Sequence, residues 1–378
     1  MRIGIDVSLA VGEIGGGGRY AAELVEALAK IDHDNEYLLF PLFLYIRHPE
    51  WKRYRGPGTR NFKVWGEDHG VEEGIRFWDT KTAELLSTCD VVHTTTFSVP
   101  KNHLGVVSTL YDLSFLTLPE CHLEANRTHC LQGTIDSVLA ARHIIAISRF
   151  TASDLDRYLN ARAPQVATIP LGAHERFFQR VSESEKRRVL ARHDVSPPYV
   201  LTVGSLEPRK NTAALVEAWA NLPNSVRGDY RLVVAGGKGW LNSAVYRRIS
   251  DLGLRDSVLL IGYVEESDLP ALYQGAAVFA YPSLYEGFGL PVVEAMAGGV
   301  PVLTSNTTSL LELGESACQL VDPSCIESIG EGLEQLLSDA KERARIGEAG
   351  RLRAAEMSWE KVARQTLEVY RTVYLRTS

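Results

Sequence analysis

The sequence predicts an α/β protein made of two doubly wound domains, each a parallel sheet covered by helices. Short β-branched runs alternate with helical patterns along most of the 378 residues, an order typical of parallel sheets. This length is enough for two domains of about 180 residues. The alternation pauses at residues 173–198, a charged stretch that ends in Pro197-Pro198. The domain boundary is therefore expected there.

The first half of the chain predicts an N-terminal domain over residues 1–175. Residues 2–7 have the pattern of a strand, and residues 19–30 that of a helix with Tyr20, Leu24 and Leu28 on one apolar face. The same patterns predict strands at 37–40, 62–65, 90–93, 106–110, 143–147 and 166–170, and helices near 75–88, 121–141 and 149–160.

The second half repeats the alternation more cleanly and predicts a C-terminal domain over residues 190–357. A last helix at 358–374 begins with Ser358, a residue that suits a helix N-cap. The patterns predict strands at 199–204, 230–235, 257–261, 277–281, 300–304 and 317–321, and helices near 211–221, 241–253, 266–275, 290–298, 308–313 and 325–338.

The composition limits which binding partners and which cellular compartment we expect for this protein. The formal charge of −7 argues against a general nucleic-acid binder. Five cysteines without CxxC spacing are typical of reduced thiols in a cytoplasmic protein. The longest apolar run, residues 37–46, is too short to span a bilayer. We therefore expect a cytoplasmic protein that has no nucleic-acid partner.

The strongest motif lies at residues 281–301. Glu286 and Glu294 stand eight residues apart on either side of a turn with Gly287 and Gly289, and Pro291 suits the first turn of the helix that follows. Glycines allow backbone to approach a ligand closely, and carboxylates accept hydrogen bonds from vicinal sugar hydroxyls. The alternative is a structural turn followed by a helix in which the dipole favours Glu294.

The start of that helix adds backbone donors to the motif. The amides of Phe288, Gly289 and Leu290 are expected to point out of the helix start. Such amides form a natural site for an anion, such as a diphosphate, or for sugar oxygens.

A second motif follows the strand that ends at Gly204. Arg209, Lys210 and Asn211 are expected to open the next helix. Two adjacent cations at a helix N-terminus are unfavourable with the helix dipole unless an anion offsets them. The pattern predicts a phosphate site, with solvated surface cations as the alternative.

A glycine run, residues 15–18, separates the first strand from its helix. Gly16, Gly18 and Ala21 match G-x-G-x-x-A, but the run begins about eight residues after the strand and the acidic residue expected after the second strand is absent. This favours a flexible loop that grips phosphate or sugar over a dinucleotide site. A merely mobile loop is the alternative.

Two further strand ends carry polar residues. Asp112 follows Tyr111 at the end of the strand at 106–110, which makes it a candidate polar anchor, with a turn-forming aspartate as the alternative. His93, in the strand at 90–93, is expected to be a core or loop histidine.

Other charged patterns are weaker. Two D-x-D matches, at residues 32–34 and 154–156, fall at a helix end and inside a helix, so both are expected on the solvated surface and no metal site is predicted. A basic stretch could meet anionic lipid head groups or an anionic acceptor, with a solvated loop as the alternative. It surrounds Trp51 and Tyr54 and consists of Arg47, Lys52, Arg53, Arg55, Arg60 and Lys63.

Together these motifs resemble the retaining GT-B glycosyltransferases of family 4. The most specific part is the segment from Glu286 to Glu294, with GFGLP between. The 205–211 segment, SLEPRKN, looks like that of bacterial mannosyltransferases for polysaccharide assembly. Other segments similar to the family are the N-terminal glycine loop and residues 106–120, 146–155, 168–177 and 261–264.

The resemblance implies a domain arrangement. Two Rossmann-like domains would face each other across a cleft, the donor mostly on the C-terminal domain and the acceptor mostly on the N-terminal one. The last segment, 358–378, would return to the N-terminal domain.

The resemblance also implies site roles. Glu286 would hold the donor sugar hydroxyls and Glu294 the ribose hydroxyls, while Arg209 and Lys210 would neutralise the diphosphate leaving group. Asp112 is carried over as a catalytic-site residue. The remaining donor-binding residues are Gly17, Gly18, Tyr263, Phe288, Gly289 and Leu290, of which the two N-terminal glycines would close over the donor.

This chain departs from the family at two positions. Many members carry Gly-Arg where it has Gly204-Ser205, so Arg209 would take over that cationic role. Many also carry His-Asp where it has Tyr111-Asp112, and that histidine usually contacts the transferred sugar.

The reaction implied by the resemblance is transfer of a hexose from a nucleotide diphosphate sugar to an acceptor hydroxyl, with retention. No metal cofactor is expected if Arg209, Lys210 and the amides at the helix start stabilise the leaving diphosphate. GDP-mannose is the first choice of donor and UDP-glucose the second. The acceptor would be a glycan or a lipid-linked acceptor, reached by peripheral contact with the inner face of the membrane. The alternatives are a sugar-nucleotide epimerase on the same fold and a non-catalytic sugar-nucleotide-binding protein.

Overall fold

The structure is a computed structural model that describes residues 1–10, 15–40, 54–64, 87–97, 99–100, 103–162 and 165–377. The chain divides into two compact units. The first comprises Met1–Leu116, Glu124–Leu171 and Ser358–Ser378, and the second comprises Thr117–Leu123 and Gly172–Met357. Residues 75–86 of the helix predicted at 75–88 and residues 47–53 of the basic stretch lie outside the described residues, and residues 87–88 form a turn.

The first unit contains a seven-stranded parallel sheet in the order β3-β2-β1-β4-β5-β6-β7. Several of its strands are buried along their whole length, as parallel strands covered on both faces must be. The strands are β1 (Arg2–Asp6), β2 (Glu36–Phe40), β3 (Phe62–Val64), β4 (Val91–Thr94), β5 (Val106–Leu110), β6 (His143–Ala146) and β7 (Val166–Thr168). The helices described in this part of the chain, before the last one, are α1 (Gly16–Ile31), α2 (Ser114–Thr117), α3 (Glu124–Ala140) and α4 (Arg149–Leu159).

The second unit contains a six-stranded parallel sheet in the order β10-β9-β8-β11-β12-β13. Its core packs around the fully buried Trp219. Its strands are β8 (Tyr199–Val203), β9 (Arg231–Ala235), β10 (Val258–Gly262), β11 (Val278–Tyr281), β12 (Val302–Ser305) and β13 (Gln319–Val321). Its helices are α5 (Glu183–Arg192), α6 (Thr212–Asn221), α7 (Asn224–Arg227), α8 (Ser243–Asp251), α9 (Leu269–Gly275), α10 (Leu290–Ala297), α11 (Thr308–Gly314), α12 (Ile326–Ser338) and α13 (Ala340–Ala355).

The last helix, α14 (Trp359–Thr377), belongs to the first unit and packs on α1. The Tyr20 and Trp359 rings lie 6.1 Å apart at this contact. The Tyr370 hydroxyl hydrogen-bonds to His93 Nδ1 at 2.6 Å. Aromatic and polar contacts therefore attach the end of the chain to the first sheet.

Both sheets have the strand order of doubly wound folds, in which the direction of winding reverses once. The reversal falls between β1 and β4 in the first sheet and between β8 and β11 in the second. Ligands of such sheets bind beyond the carboxyl ends of the strands at this point. In the second unit, those ends lead into the loops that contain Arg209 and Glu286.

The structure confirms the predicted α/β class with two parallel-sheet domains. Two expectations about these elements were wrong, and one helix was missed. Helix α1 begins at Gly16, so Gly17 and Gly18 lie in its first turn and not in a flexible loop. Helix α13 was not predicted. Asp32 and Asp154 of the D-x-D matches are buried, because Asp32 accepts hydrogen bonds from Asn35 and Tyr37 and because Asp154 lies on the inner face of α4.

None of the helices that the structure describes is long and apolar enough to cross a bilayer.

Candidate active site

Two carboxylates and two cations of the second unit form a buried charge cluster, which we call the four-charge cluster. Its members are Glu207, Arg209, Lys210 and Glu286. The first three follow β8 and the fourth follows β11, its neighbour in the sheet. Their side chains are between 3% and 14% exposed. Strands paired at the switch point thus bring together residues that lie about 80 positions apart in the sequence.

Glu286 is the centre of the cluster. Its Oε2 accepts a hydrogen bond from Arg209 Nη1 at 2.9 Å. Its Oε1 accepts from Lys210 Nζ at 2.7 Å and from the Tyr281 hydroxyl at 3.0 Å. Burial by itself raises the pKa of this carboxyl, but the Arg209 and Lys210 cations outweigh burial and hold the pKa at about 2. Glu286 is therefore an ionised acceptor throughout the physiological range.

This low pKa predicts how stability depends on pH. Since the folded-state pKa of Glu286 lies below its ordinary value of 4.5, ionised Glu286 stabilises the fold fully above about pH 4.5 and progressively less as the pH falls towards 2. The free energy of unfolding, measured by urea denaturation between pH 6 and pH 3, should fall more steeply in the wild type than in Glu286→Gln. Parallel curves for the two proteins would contradict this assignment.

The sequence had suggested that Arg209 and Lys210 open a helix, but the structure shows that they do not. They lie in a short 3-10 turn, Pro208–Lys210, and α6 begins only at Thr212, after its N-cap Asn211. The argument from an unfavourable helix dipole therefore does not apply to these two cations. The anions that offset the two cations are the carboxylates of Glu207 and Glu286.

Hydroxyl side chains at the start of α11 hold the backbone on both sides of Glu286. The Glu286 amide donates to Thr308 Oγ1 at 3.3 Å, and Ser309 Oγ donates to the carbonyls of Glu286 at 2.8 Å and Phe288 at 3.1 Å. Thr308 has a φ of 57°, which is uncommon for a β-branched residue. Sequence reasoning missed these residues, although the hydroxyl-rich run after β12 (residues 304–309) was a usable signal.

Backbone N–H donors are also present, at the start of α10. Within the described residues, the amides of Phe288, Gly289 and Leu290 donate no hydrogen bond. Gly289, the N-cap of α10, has a φ of 105°. The first N–H groups of a helix favour negatively charged or polar oxygen atoms. Cationic side chains and unpaired amides are therefore both present in the segments after β8 and β11.

The conformation of Gly289 predicts the effect of adding a methyl group. A Cβ atom there would lie 2.7 Å from Leu310 Cδ2 and 3.2 Å from Leu313 Cδ1. Backbone strain and overpacking together should make Gly289→Ala less stable by roughly 2–4 kcal/mol. That loss corresponds to a melting midpoint roughly 5–10 °C lower.

Gly330 offers a matched control for this change. It lies in α12 with an ordinary φ, and a Cβ there would meet only Ala218 O, at 3.9 Å. Gly330→Ala should leave the melting midpoint unchanged or raise it slightly, because alanine favours helix. Equal midpoints for the two variants would show that Gly289 is not conformationally required.

Glu294 occupies a different environment from Glu286. It lies in the second turn of α10, not the first, and is 1% exposed. The Tyr273 hydroxyl donates to its Oε2 at 3.0 Å. Tyr263, the other side-chain candidate of this unit, follows β10 and is 40% exposed. The donor-binding roles of Glu294 and Tyr263 stay predictions.

The remaining candidates lie in the first unit. Asp112 Oδ1 accepts from the Ser114 amide at 2.9 Å and the Ser114 hydroxyl at 2.6 Å, so it forms the turn that starts α2. The Tyr111 hydroxyl donates to Thr95 O at 2.7 Å. A Cβ at Gly17 would lie 3.4 Å from the Tyr111 ring. Tyr111 therefore packs under the glycine turn that begins α1.

His93 is a core histidine, as expected. It is fully buried, and its two ring nitrogens hydrogen-bond to the hydroxyls of Tyr370 and Thr109. Burial lowers its pKa to about 3. Among the described residues no three His, Cys, Asp or Glu side chains are grouped so that they could hold a metal ion.

Comparison with known proteins relates the chain to a family. The family model for glycosyl transferases group 1 matches residues 182–353. The O-antigen chain mannosyltransferase B of Escherichia coli is 34% identical over 283 residues, which are 74% of each chain. An MMP alpha-(1->4)-mannosyltransferase of Mycolicibacterium hassiacum is 32% identical over 241 residues, which are 62% of this chain and 55% of that protein.

Solved structures share the fold at lower identity. Sucrose-phosphate synthase from Thermosynechococcus elongatus superposes with a TM-score of 0.79 and 22% identity over all of both chains. HepE from Anabaena, solved with UDP-glucose, gives 0.76 and 18% over 98% of this chain and 100% of that one. At these identities the likeness shows the fold alone.

Proposed function

The chain belongs to the glycosyl transferases group 1 family, and on that premise we propose that it moves a hexose from a nucleotide diphosphate sugar to an acceptor hydroxyl. The anomeric configuration is retained. The observation that carries the proposal is the four-charge cluster, whose cations belong to the same unit as the unpaired amides of Phe288, Gly289 and Leu290.

The proposed chemistry follows from the charges that develop. As the bond from the anomeric carbon to the phosphate oxygen breaks, negative charge grows on the diphosphate. Arg209, Lys210 and the amides at the start of α10 would stabilise that charge in a preorganised, buried setting. Glu286, ionised and fixed by two cations, would accept hydrogen bonds from the sugar hydroxyls. Retention follows if the acceptor attacks the same face and its proton passes to the departing phosphate oxygen.

The relatives guide the choice of donor and acceptor. The relatives from Escherichia coli and Mycolicibacterium hassiacum are both named mannosyltransferases, so mannose from GDP-mannose is our first choice and glucose from UDP-glucose our second. The acceptor is proposed to be a glycan or lipid-linked glycan of polysaccharide synthesis. A cytoplasmic enzyme that touches the membrane peripherally fits such an acceptor. The exposed Arg55, Arg60 and Lys63 are the described part of the basic stretch that motivates this contact.

A panel of nucleotide sugars tests the proposal. Each donor is incubated with a mannosylated acceptor, and both free nucleoside diphosphate and the new glycosidic bond are measured, with the anomeric configuration read by NMR. One donor should yield both products in equal amounts and an unchanged configuration. Interconversion of sugars without release of nucleoside diphosphate would indicate an epimerase. Binding without turnover would indicate a non-catalytic protein, and inversion would contradict retention.

Metal dependence is tested separately. If Arg209, Lys210 and backbone amides supply the charge stabilisation, transfer in excess EDTA should stay within about twofold of the untreated rate. The control is a parallel assay with added Mg²⁺ or Mn²⁺. Loss of activity in EDTA that Mn²⁺ restores would contradict the proposal of a metal-independent reaction.

A further inference from the structure

Glu207 is a buried carboxylate that has no role in the mechanism proposed above. Its side chain is 3% exposed, and it precedes Arg209 by two residues. Its Oε1 accepts a hydrogen bond from Arg209 Nη2 at 2.9 Å. Lys210 Nζ lies 3.9 Å from the same oxygen. Glu207 is therefore the second anion of the four-charge cluster.

The contacts of Arg209 show what this carboxylate does. Arg209 Nη1 donates to Tyr285 O at 2.7 Å and to Glu286 Oε2 at 2.9 Å, while Nη2 donates to Glu207 Oε1. Both ends of the planar guanidinium are thus fixed. Loss of Glu207 would remove the hydrogen bond at the Nη2 end of the guanidinium.

Glu207 is itself held firmly by its backbone. Its amide donates to Ser205 O at 2.9 Å, and its carbonyl accepts from the Lys210 amide at 3.1 Å. The loop after β9 packs directly against it, since a Cβ at Gly239 would lie 2.4 Å from Leu206 O and 3.2 Å from the Glu207 amide nitrogen. The carboxylate therefore starts from a rigid anchor.

The segment Thr117–Leu123 belongs to the second unit, although its chain neighbours on both sides belong to the first unit. Trp240 Nε1 donates to Cys121 O at 2.7 Å, which attaches this segment to the loop after β9. Burial raises the pKa of the Cys121 thiol, and the charges of Glu120, Arg209 and Glu207 also act on it. Cys121 thus lies in the electrostatic field of the Glu207–Arg209 pair.

One oxygen of this carboxylate has no partner. Glu207 Oε2 is buried and accepts no hydrogen bond from the part of the chain that the structure describes. A buried carboxylate oxygen without a donor is unfavourable. The negative charge of Glu207 is therefore balanced by Arg209, its hydrogen-bond donor, and by Lys210 at 3.9 Å, and burial makes the Arg209 contact stronger than a solvated ion pair.

We propose that Glu207 is a positioning residue that aims the Arg209 guanidinium at the diphosphate of the donor. It acts through Arg209 and does not touch the donor itself. This inference rests on the proposed function, because it takes the diphosphate as the ligand of Arg209.

The test uses three variants of the full chain: Glu207→Ala, Glu207→Gln and Arg209→Ala. Binding of GDP and UDP is measured by calorimetry, and the acceptor KM by initial rates. In Glu207→Ala, the Kd of whichever nucleoside diphosphate the wild type binds more tightly should rise by about thirtyfold, and the acceptor KM should stay unchanged. Glu207→Gln, which keeps an oxygen that can accept from Arg209, should recover most of that loss. Glu334→Ala, at an exposed position of α12, is the control.

A double-mutant cycle separates positioning from direct contact. If Glu207 acts only through Arg209, adding Glu207→Ala to Arg209→Ala should change nucleoside diphosphate binding by less than about twofold. Effects that multiply would overturn the proposal, as would an equal loss of donor and acceptor binding. Because binding needs no turnover, a wild type that binds neither GDP nor UDP would instead contradict the proposed function.

Discussion

We expect the Glu286→Gln protein to transfer sugar about a thousandfold more slowly than the wild type. Glutamine keeps the volume of the side chain but removes its negative charge. It can accept hydrogen bonds at only one terminal atom, whereas the carboxylate accepts from Arg209 at one oxygen and from Lys210 and Tyr281 at the other. The cations would then be balanced by Glu207 alone, so that both the acceptor for sugar hydroxyls and the alignment of Arg209 would be lost.

Initial rates with the preferred donor measure this effect, and circular dichroism with thermal melting checks that the variant folds. The matched control is Glu334→Gln, the same chemical change at an exposed position of the same unit. It should keep the wild-type rate. A folded Glu286→Gln protein with a rate close to the wild type would show that Glu286 is not needed for the reaction. It would also contradict the transferase proposal.

The second large effect is expected from Lys210→Met. This change keeps the aliphatic part of the side chain and removes the ammonium that donates to Glu286 Oε1 and to the Tyr281 hydroxyl, each at 2.7 Å. Loss of one of two leaving-group cations should lower kcat/KM for the donor by about a hundredfold. The same loss removes one of the charges that oppose the effect of burial on Glu286, so the pKa of that carboxyl should rise from about 2.

The pH profile therefore distinguishes this effect from simple misfolding. In Lys210→Met, the rate should decline at a higher pH on the acid side than in the wild type, because protonated Glu286 would be inactive. Lys341→Met, an exposed lysine at the start of α13, is the control and should have the wild-type profile. An acid limb that stays in place would show that Lys210 does not set the ionisation of Glu286.

Much of the fold was readable from the sequence because parallel strands carry a local signature. Buried on both faces, they appear as short continuous β-branched runs, and β5 and β8 were predicted within one residue. The predictions were less accurate at helix starts. Three consecutive glycines lie in the first turn of α1, where the glycine run had been interpreted as a flexible loop. A Cβ at Gly17 would lie 3.0 Å from Leu9 Cδ1 and 3.4 Å from the Tyr111 ring, so the packing of this turn favours a residue without a side chain.

The candidate site was partly predictable for the same reason. Glu286, Arg209 and Lys210 were selected because they follow strands whose carboxyl ends must lie at one edge of a sheet. Glu207 and Ser309 could not be selected in this way. Their importance depends on which atoms they contact, and Ser309 acts on carbonyls about 20 residues away in the sequence.

The sequence by itself determined the class of the fold, the strand ends from which a site could be built, and the presence of two cations that needed an anion. Those features are local, since they depend on side-chain periodicity and on the charge of neighbouring residues. Only the tertiary structure decided which anions those are. The pairing of β8 with β11 places Glu286 beside Arg209 and Lys210, and the burial that follows makes each of these charges depend on the others.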